Sequence, residues 1–123
     1  MISFETFKME DGIPIYQQIL LHIKRSIAAG TICDGDELPS RRVLSALLGV
    51  NPNTIQKAYR LLEDEGLVAS HSGAKSCVVL TEGTVERVRN ELLESDARAI
   101  VSSMKQMGLS REEAAALLER FWD

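Results

Sequence analysis

Asn53, Thr54, Gln56 and Lys57 place two amides, a hydroxyl and an ammonium within five residues. An amide side chain donates and accepts at once and can pair bidentately with an adenine edge. A hydroxyl reaches a base or a phosphate, and an ammonium donates to guanine or neutralises phosphate. Around them, Arg41, Arg42, Lys57 and Arg60 are the charged side chains of residues 38–62, a stretch with no Asp or Glu. Singly, these features are ordinary: a polar helix start is most often a solvated face, and paired arginines are common on surfaces. Jointly they describe a surface for a nucleic acid, in which Asn53, Gln56 and Lys57 would read base edges and Arg41 or Arg42 would grip the backbone.

Other chemistry is poorly provided for. Cys33 and Cys77 are too few and too isolated for a disulfide framework, and no Cys-x-x-Cys pair or Cys/His cluster is present, so both read as reduced packing thiols. His22 and His71 have no partner at ligand spacing. Without a nucleophile and base, paired carboxylates or a metal cluster within reach of one another, neither an enzyme, a metal site nor a cofactor is expected.

The elements that would position the polar cluster follow from periodicity. Residues 14–29 set Ile15, Ile19, Ile23 and Ile27 four apart, with Tyr16 and Leu20 beside them, which predicts an amphipathic helix begun by Pro14 and stopped by Gly30. After the turn-rich DGDELPS, Ser40 caps a short second helix with Val43, Leu44, Leu47 and Leu48 facing inward, ended by Gly49. Only Val50 then precedes Asn51-Pro52, a cap residue with proline at the first helical position. The third helix runs to about Glu65, with Ile55, Ala58, Tyr59 and Leu62 inward. Helices joined so closely must cross, as in a helix-turn-helix, and the free N–H groups at the starts of both suit phosphate oxygens. Beyond Gly66 the period shortens to two. LVASH and SCVVL predict a hairpin around Ser72-Gly73-Ala74-Lys75, its tip projecting as a wing.

The net charge of −4 is unevenly spread: −2 over residues 1–21, +1 over 22–75 and −3 over 76–123. Overall acidity therefore does not describe the segment that would meet DNA. The start, MISFETFKMED, has neither a basic nor an apolar leader region, and the apolar runs fall well short of the roughly 20 residues of a membrane span, so a cytoplasmic protein without a membrane partner is expected.

The run PIYQQI followed by GDELPSRRVLSALLGVNPNTIQKAYRLLEDEGLV closely resembles the DNA-binding domain of GntR-type bacterial regulators, and NPNT-x-QKAYRLLE is similar to their YtrA subgroup. The resemblance covers about residues 10–80 and implies a winged helix, with Ser40 and Arg42 at phosphate-contacting positions after Leu38-Pro39. The expected DNA-contacting set is Ser40, Arg41, Arg42, Asn51, Asn53, Thr54, Gln56, Lys57 and Arg60, with His71, Gly73 and Lys75 on the wing. The wing departs from the family's Gly-x-Gly-Thr-Phe-Val: here Gly73-Ala74-Lys75-Ser76-Cys77-Val78 lacks the second glycine and the aromatic. Lys75 adds a charge there that suits phosphate or the minor groove.

From Thr84 the pattern is helical again, with Val85, Val88, Leu92, Ala97, Ile100, Met104 and Met107 on one side until Gly108. Ser110 with Glu113 then makes a capping box, Leu109 staples onto Ala114, and Leu117, Leu118, Phe121 and Trp122 follow as the apolar face of a last helix. The resemblance implies that larger relatives carry a sensing domain of over a hundred residues here. Two helices can hardly enclose a drug-sized cavity, but they can form a dimer, with Val88, Leu92, Ile100, Met104, Met107, Leu117, Leu118, Phe121 and Trp122 at its interface. The alternative is that they fold back onto the chain's own winged helix.

The expected fold is thus mainly α (α+β): a winged helix-turn-helix domain at 10–80 and a two-helix dimerisation or effector region at 84–123. The expected function is a sequence-specific regulator binding a palindromic DNA operator as a homodimer. By resemblance it would be a repressor of a transporter operon, with an effector that the sequence does not identify. The alternative is a winged-helix module that docks a protein rather than DNA.

Overall fold

Ile19, Ile23 and Ile27, one helical turn apart, are fully buried. They form the inner edge of α1 (Ile15–Ala29). A computed structural model of the chain describes residues 2–71 and 75–123. Within them α1 is followed by α2 (Arg41–Leu48), α3 (Pro52–Asp64), the strands β1 (Val68–His71) and β2 (Lys75–Val78), then α4 (Glu82–Gln106) and α5 (Arg111–Arg120). The architecture is mainly α, a winged helix followed by C-terminal helices, as the sequence predicts.

Against α1 lies α3, whose Ile55, Ala58, Tyr59 and Leu62 are buried as its spacing requires. The short α2 presents a different face from the expected one. Leu44 and Ser45 are buried and Leu48 half-buried, while Val43 is 55% and Leu47 67% exposed. The reason is Ser45: its hydroxyl donates to the Val50 carbonyl just past the helix, so a polar side chain takes an inward position and turns Val43 and Leu47 outward.

The strands pair antiparallel, with Val68 opposite Val78 and His71 opposite Lys75. The outer edge of β2 is not open. Leu38 N–H donates to Ser76 O (2.9 Å), Val78 N–H to Asp36 O (2.8 Å) and Gly35 N–H to Val78 O (2.8 Å), so the segment read as turn-rich also covers the sheet edge. Ile2 and Phe4, ahead of the expected start of the domain, are buried and join the same core. Ile2 N–H donates to Glu37 O (3.1 Å), and the His22 ring packs with Phe4 and Phe7 in a three-ring cluster (centroids 4.8 Å and 5.3 Å from His22, 5.5 Å between the two phenylalanines) and donates to Ser3 O (3.0 Å).

The chain divides into two compact units, one through Arg89 and one comprising Asn90–Asp123. The first therefore includes the opening turns of α4. Val88, expected on a dimer face, is 1% exposed and belongs to the chain's own core, because it falls in the part of α4 that the first unit contains. In the second unit, Ser110 and Glu113 make the expected capping box, which holds the Glu113 carboxyl below its usual range through hydrogen bonds with Ser110. Leu92, Met104 and Leu117 are half-buried, and Ile100, Met107, Leu118, Phe121 and Trp122 are exposed. No helix among the described residues is long and apolar enough to cross a membrane.

Removing two buried methyl groups by Val88→Ala should lower stability by about 2 kcal/mol, from lost burial plus the cavity left behind, without changing the oligomeric state. Chemical denaturation with sedimentation of both proteins checks this; a change in association would return Val88 to the intermolecular face.

Candidate nucleic-acid interface

The start of α3 is set by Asn51, whose side-chain oxygen accepts from Asn53 N–H (2.8 Å), while its carbonyl accepts from Thr54 N–H (2.9 Å). Pro52 follows with no N–H to satisfy. The expectation of free amides at this terminus is thus overturned: the first turn uses them internally. At α2, by contrast, Ser40 Oγ accepts from Val43 N–H (3.1 Å) and the Ser40 carbonyl from Leu44 N–H (2.9 Å), and the Arg41 and Arg42 amides of the first turn have no hydrogen-bond partner among the described residues.

With Ile55, Ala58, Tyr59 and Leu62 inward, helical geometry turns Asn53, Gln56, Lys57 and Arg60 outward, and all four are exposed. Thr54 is half-buried and borders that row. Lys57 is already engaged: its ammonium sits 4.0 Å over the Tyr16 ring of α1, a cation–π contact that orients the side chain. The two arginines of α2 separate in role. Arg42 is exposed, whereas Arg41 is half-buried, with its Nε buried and unpartnered among the described residues.

Tyr59 ties α3 to the entrance of α2. Its hydroxyl donates to the Pro39 carbonyl (2.6 Å), the residue before the Ser40 cap. Burial pushes the phenol's pKa well above its ordinary value, and the positive charge of Arg41 works in the opposite direction. Tyr59 reads from sequence only as an inward apolar position; its polar tip finds a partner twenty residues away, which no local pattern reveals. On the wing, Lys75 is exposed and lies 3.9 Å from Glu37 across the covered sheet edge. His71 pairs through its backbone with Lys75. Gly73 and the tip around it lie outside the described residues.

The C-terminal end of α3 carries Glu63, Asp64 and Glu65 and no basic residue in its last turn, an unfavourable set for a helix dipole. Cations from two other helices compensate. Lys24 of α1 pairs with Glu65 (2.6 Å), and Arg87 of α4 donates to the Glu65 carbonyl (3.2 Å). Arg89 likewise donates to the Ala28 carbonyl (3.4 Å) in the last turn of α1.

Residues 15–78 match the family described as bacterial regulatory proteins, gntR family. The HTH-type transcriptional repressor YtrA of Bacillus subtilis (strain 168) is 33% identical over 87% of this chain and 78% of its own length. A GntR family transcriptional regulator from Listeria monocytogenes superposes with a TM-score of 0.83 at 31% identity, covering 91% of this chain and 98% of that one. The DNA-binding domain of AraR, in complex with operator ORX1, matches with a TM-score of 0.51 at 30% identity over 58% of this chain and 87% of its own.

Tyr59→Phe leaves the buried Pro39 carbonyl without its donor and should cost about 1–3 kcal/mol at neutral pH. Because folding raises the phenol pKa, its neutral form stabilises the fold fully below the unfolded value of about 10 and progressively less as pH rises beyond it. Urea titrations from neutral to alkaline pH should therefore show a shallower alkaline loss of stability in the variant than in the parent; equal slopes would remove the linkage.

Proposed function

The chain belongs to the gntR family of bacterial regulatory proteins, a YtrA-like DNA-binding transcription regulator and not an enzyme, and we propose that it is a homodimeric repressor of a palindromic operator. The single observation that carries the reading is the outward row Asn53, Gln56, Lys57 and Arg60 on α3, in a segment without acids. Near the N-terminus of a recognition helix, amide and cationic side chains meet base edges in the major groove. The first-turn amides of Arg41 and Arg42, and the Arg42 guanidinium, supply backbone contacts that fix register without reading sequence. Lys75 meets phosphate or the minor groove from the wing.

Repression is supported by the description of the Bacillus subtilis relative as a repressor, and an operator by the AraR complex. A homodimer is supported by the exposed apolar side chains of the second unit, Ile100, Met107, Leu118, Phe121 and Trp122. A two-fold pair of recognition helices about 34 Å apart reads a palindrome. The protein works in the cytoplasm, where a neighbouring transporter operon is its target. Of the two partner classes open to the sequence, DNA is the one that family membership gives.

Binding to the intergenic DNA upstream of its own gene, against a scrambled duplex of equal length at two salt concentrations, tests the whole reading. Preference for the native fragment, weakening with salt, supports it; equal binding to both duplexes overturns it. Within that assay Gln56→Ala should cost roughly 1–3 kcal/mol and relax preference at one base pair, whereas Arg42→Ala should weaken binding to every sequence and reduce the salt slope by about one. Uniform weakening by Gln56→Ala would make that residue a backbone contact.

A further inference from the structure

Among the described residues, none between Asn90 and Asp123 is buried, so the second unit has helices but no core of its own. It does contain a groove between α4 and α5 of about 410 Å³, walled by Ile100, Met104, Leu109, Ala114, Ala115 and Leu118, with Lys105 and Arg111 also lining it. The small side chains of Ala114 and Ala115 leave the room. A cavity of about 150 Å³ already holds a benzene ring, so this groove has space for an indole. The same unit carries an unused indole: Trp122 is 84% exposed, the most exposed large apolar side chain described. Phe121 is 69% exposed, but its ring is covered by the Arg120 guanidinium at 4.8 Å, which leaves Trp122 the freer anchor.

We propose that Trp122 of one copy seats in the α4–α5 groove of a second copy, and reciprocally, as the anchor of the dimer. This rests on the homodimer reading above and names the contact that makes it. Trp122 does not occupy the groove of its own chain, where it stands 84% exposed, and the occupant is the same indole of a second copy. Charge fits as well. Asp123 follows Trp122, and the groove that receives the indole is lined by Lys105 and Arg111. A buried tryptophan with a polar rim is the usual form of a dominant interface residue, and reciprocal insertion closes a two-fold interface.

Trp122 is the single tryptophan of the chain, so its fluorescence reports on this contact alone. Emission and acrylamide quenching of the full chain are measured across a dilution series, in parallel with sedimentation equilibrium. The dimer should emit to the blue and resist quenching, and dilution should shift emission to the red in step with dissociation. Trp122→Ala should raise the dimer Kd about thirtyfold, the effect of a hot-spot residue. Lys105→Glu should weaken the dimer, and adding Asp123→Lys should restore part of the loss. A dimer whose tryptophan remains fully quenchable, or a Trp122→Ala protein that dimerises like the parent, overturns the anchor while leaving the homodimer standing. A parent chain that stays monomeric at every concentration overturns both.

Discussion

Gly49, Val50 and Asn51 are all that separates α2 from α3, and the hydrogen bonds made in that space decide where both helices point. Gly49 takes a left-handed φ of 68° that a side chain would strain, and its N–H returns to the Ser45 carbonyl. The Ser45 hydroxyl and the Val50 carbonyl close the corner from inside, and Asn51 starts the next helix at once. With so few residues there is no slack: the row Asn53, Gln56, Lys57 and Arg60 faces outward because the corner sets the phase of α3, and Ile55, Ala58, Tyr59 and Leu62 hold that phase against the core. Tyr59 repeats the constraint from the other side by holding Pro39, so both ends of α2 are referred to α3.

What could be read from the residues divides along the range of the interactions. Long amphipathic runs and local caps were legible: the isoleucine row of α1, the Asn51-Pro52 start of α3, its four inward residues and the Ser110–Glu113 box all depend on neighbours within a turn or two. The phase of α2 was not, because eight residues make barely two turns, and a buried serine counts as polar in any pattern. Nor was the cover over β2, which rests on a single bridge between Glu37 and Cys77 and a few backbone bonds. Among the proposed DNA-facing residues, the exposure of Arg42, Asn53, Gln56, Lys57 and Arg60 was legible, whereas Arg41 and Thr54 prove half-buried. The placement of Lys57 over Tyr16 and the division of labour between Arg41 and Arg42 were not legible, since each depends on a contact between helices. Val88 fell on the right stripe of α4 but within a different unit, and periodicity alone cannot say what a stripe packs against.

Helix ends form a second, electrostatic layer of the design. Neither α1 nor α3 has a basic residue in its last turn, yet both end next to arginines of α4: Arg89 at the Ala28 carbonyl and Arg87 at the Glu65 carbonyl. Exposed contacts of this kind are individually weak. Their value lies in what they join, since the opening turns of α4 thereby become part of the winged helix, with Val88 packed between the two arginines in sequence. The acid run Glu63–Glu65, unfavourable in isolation, is where Lys24 and Arg87 converge.

The missing core between Asn90 and Asp123 bears on the lifetime of the protein as well as on its assembly. From Asn90 on, α4 and α5 have no buried side chain to hold them closed, and a protease cleaves what opens. A solitary copy would thus be trimmed or degraded faster than a partnered one, whose helices are held closed by mass action. Were the chain to pair as proposed, survival would rise with abundance: newly made copies would be cleared when scarce and kept once enough accumulate.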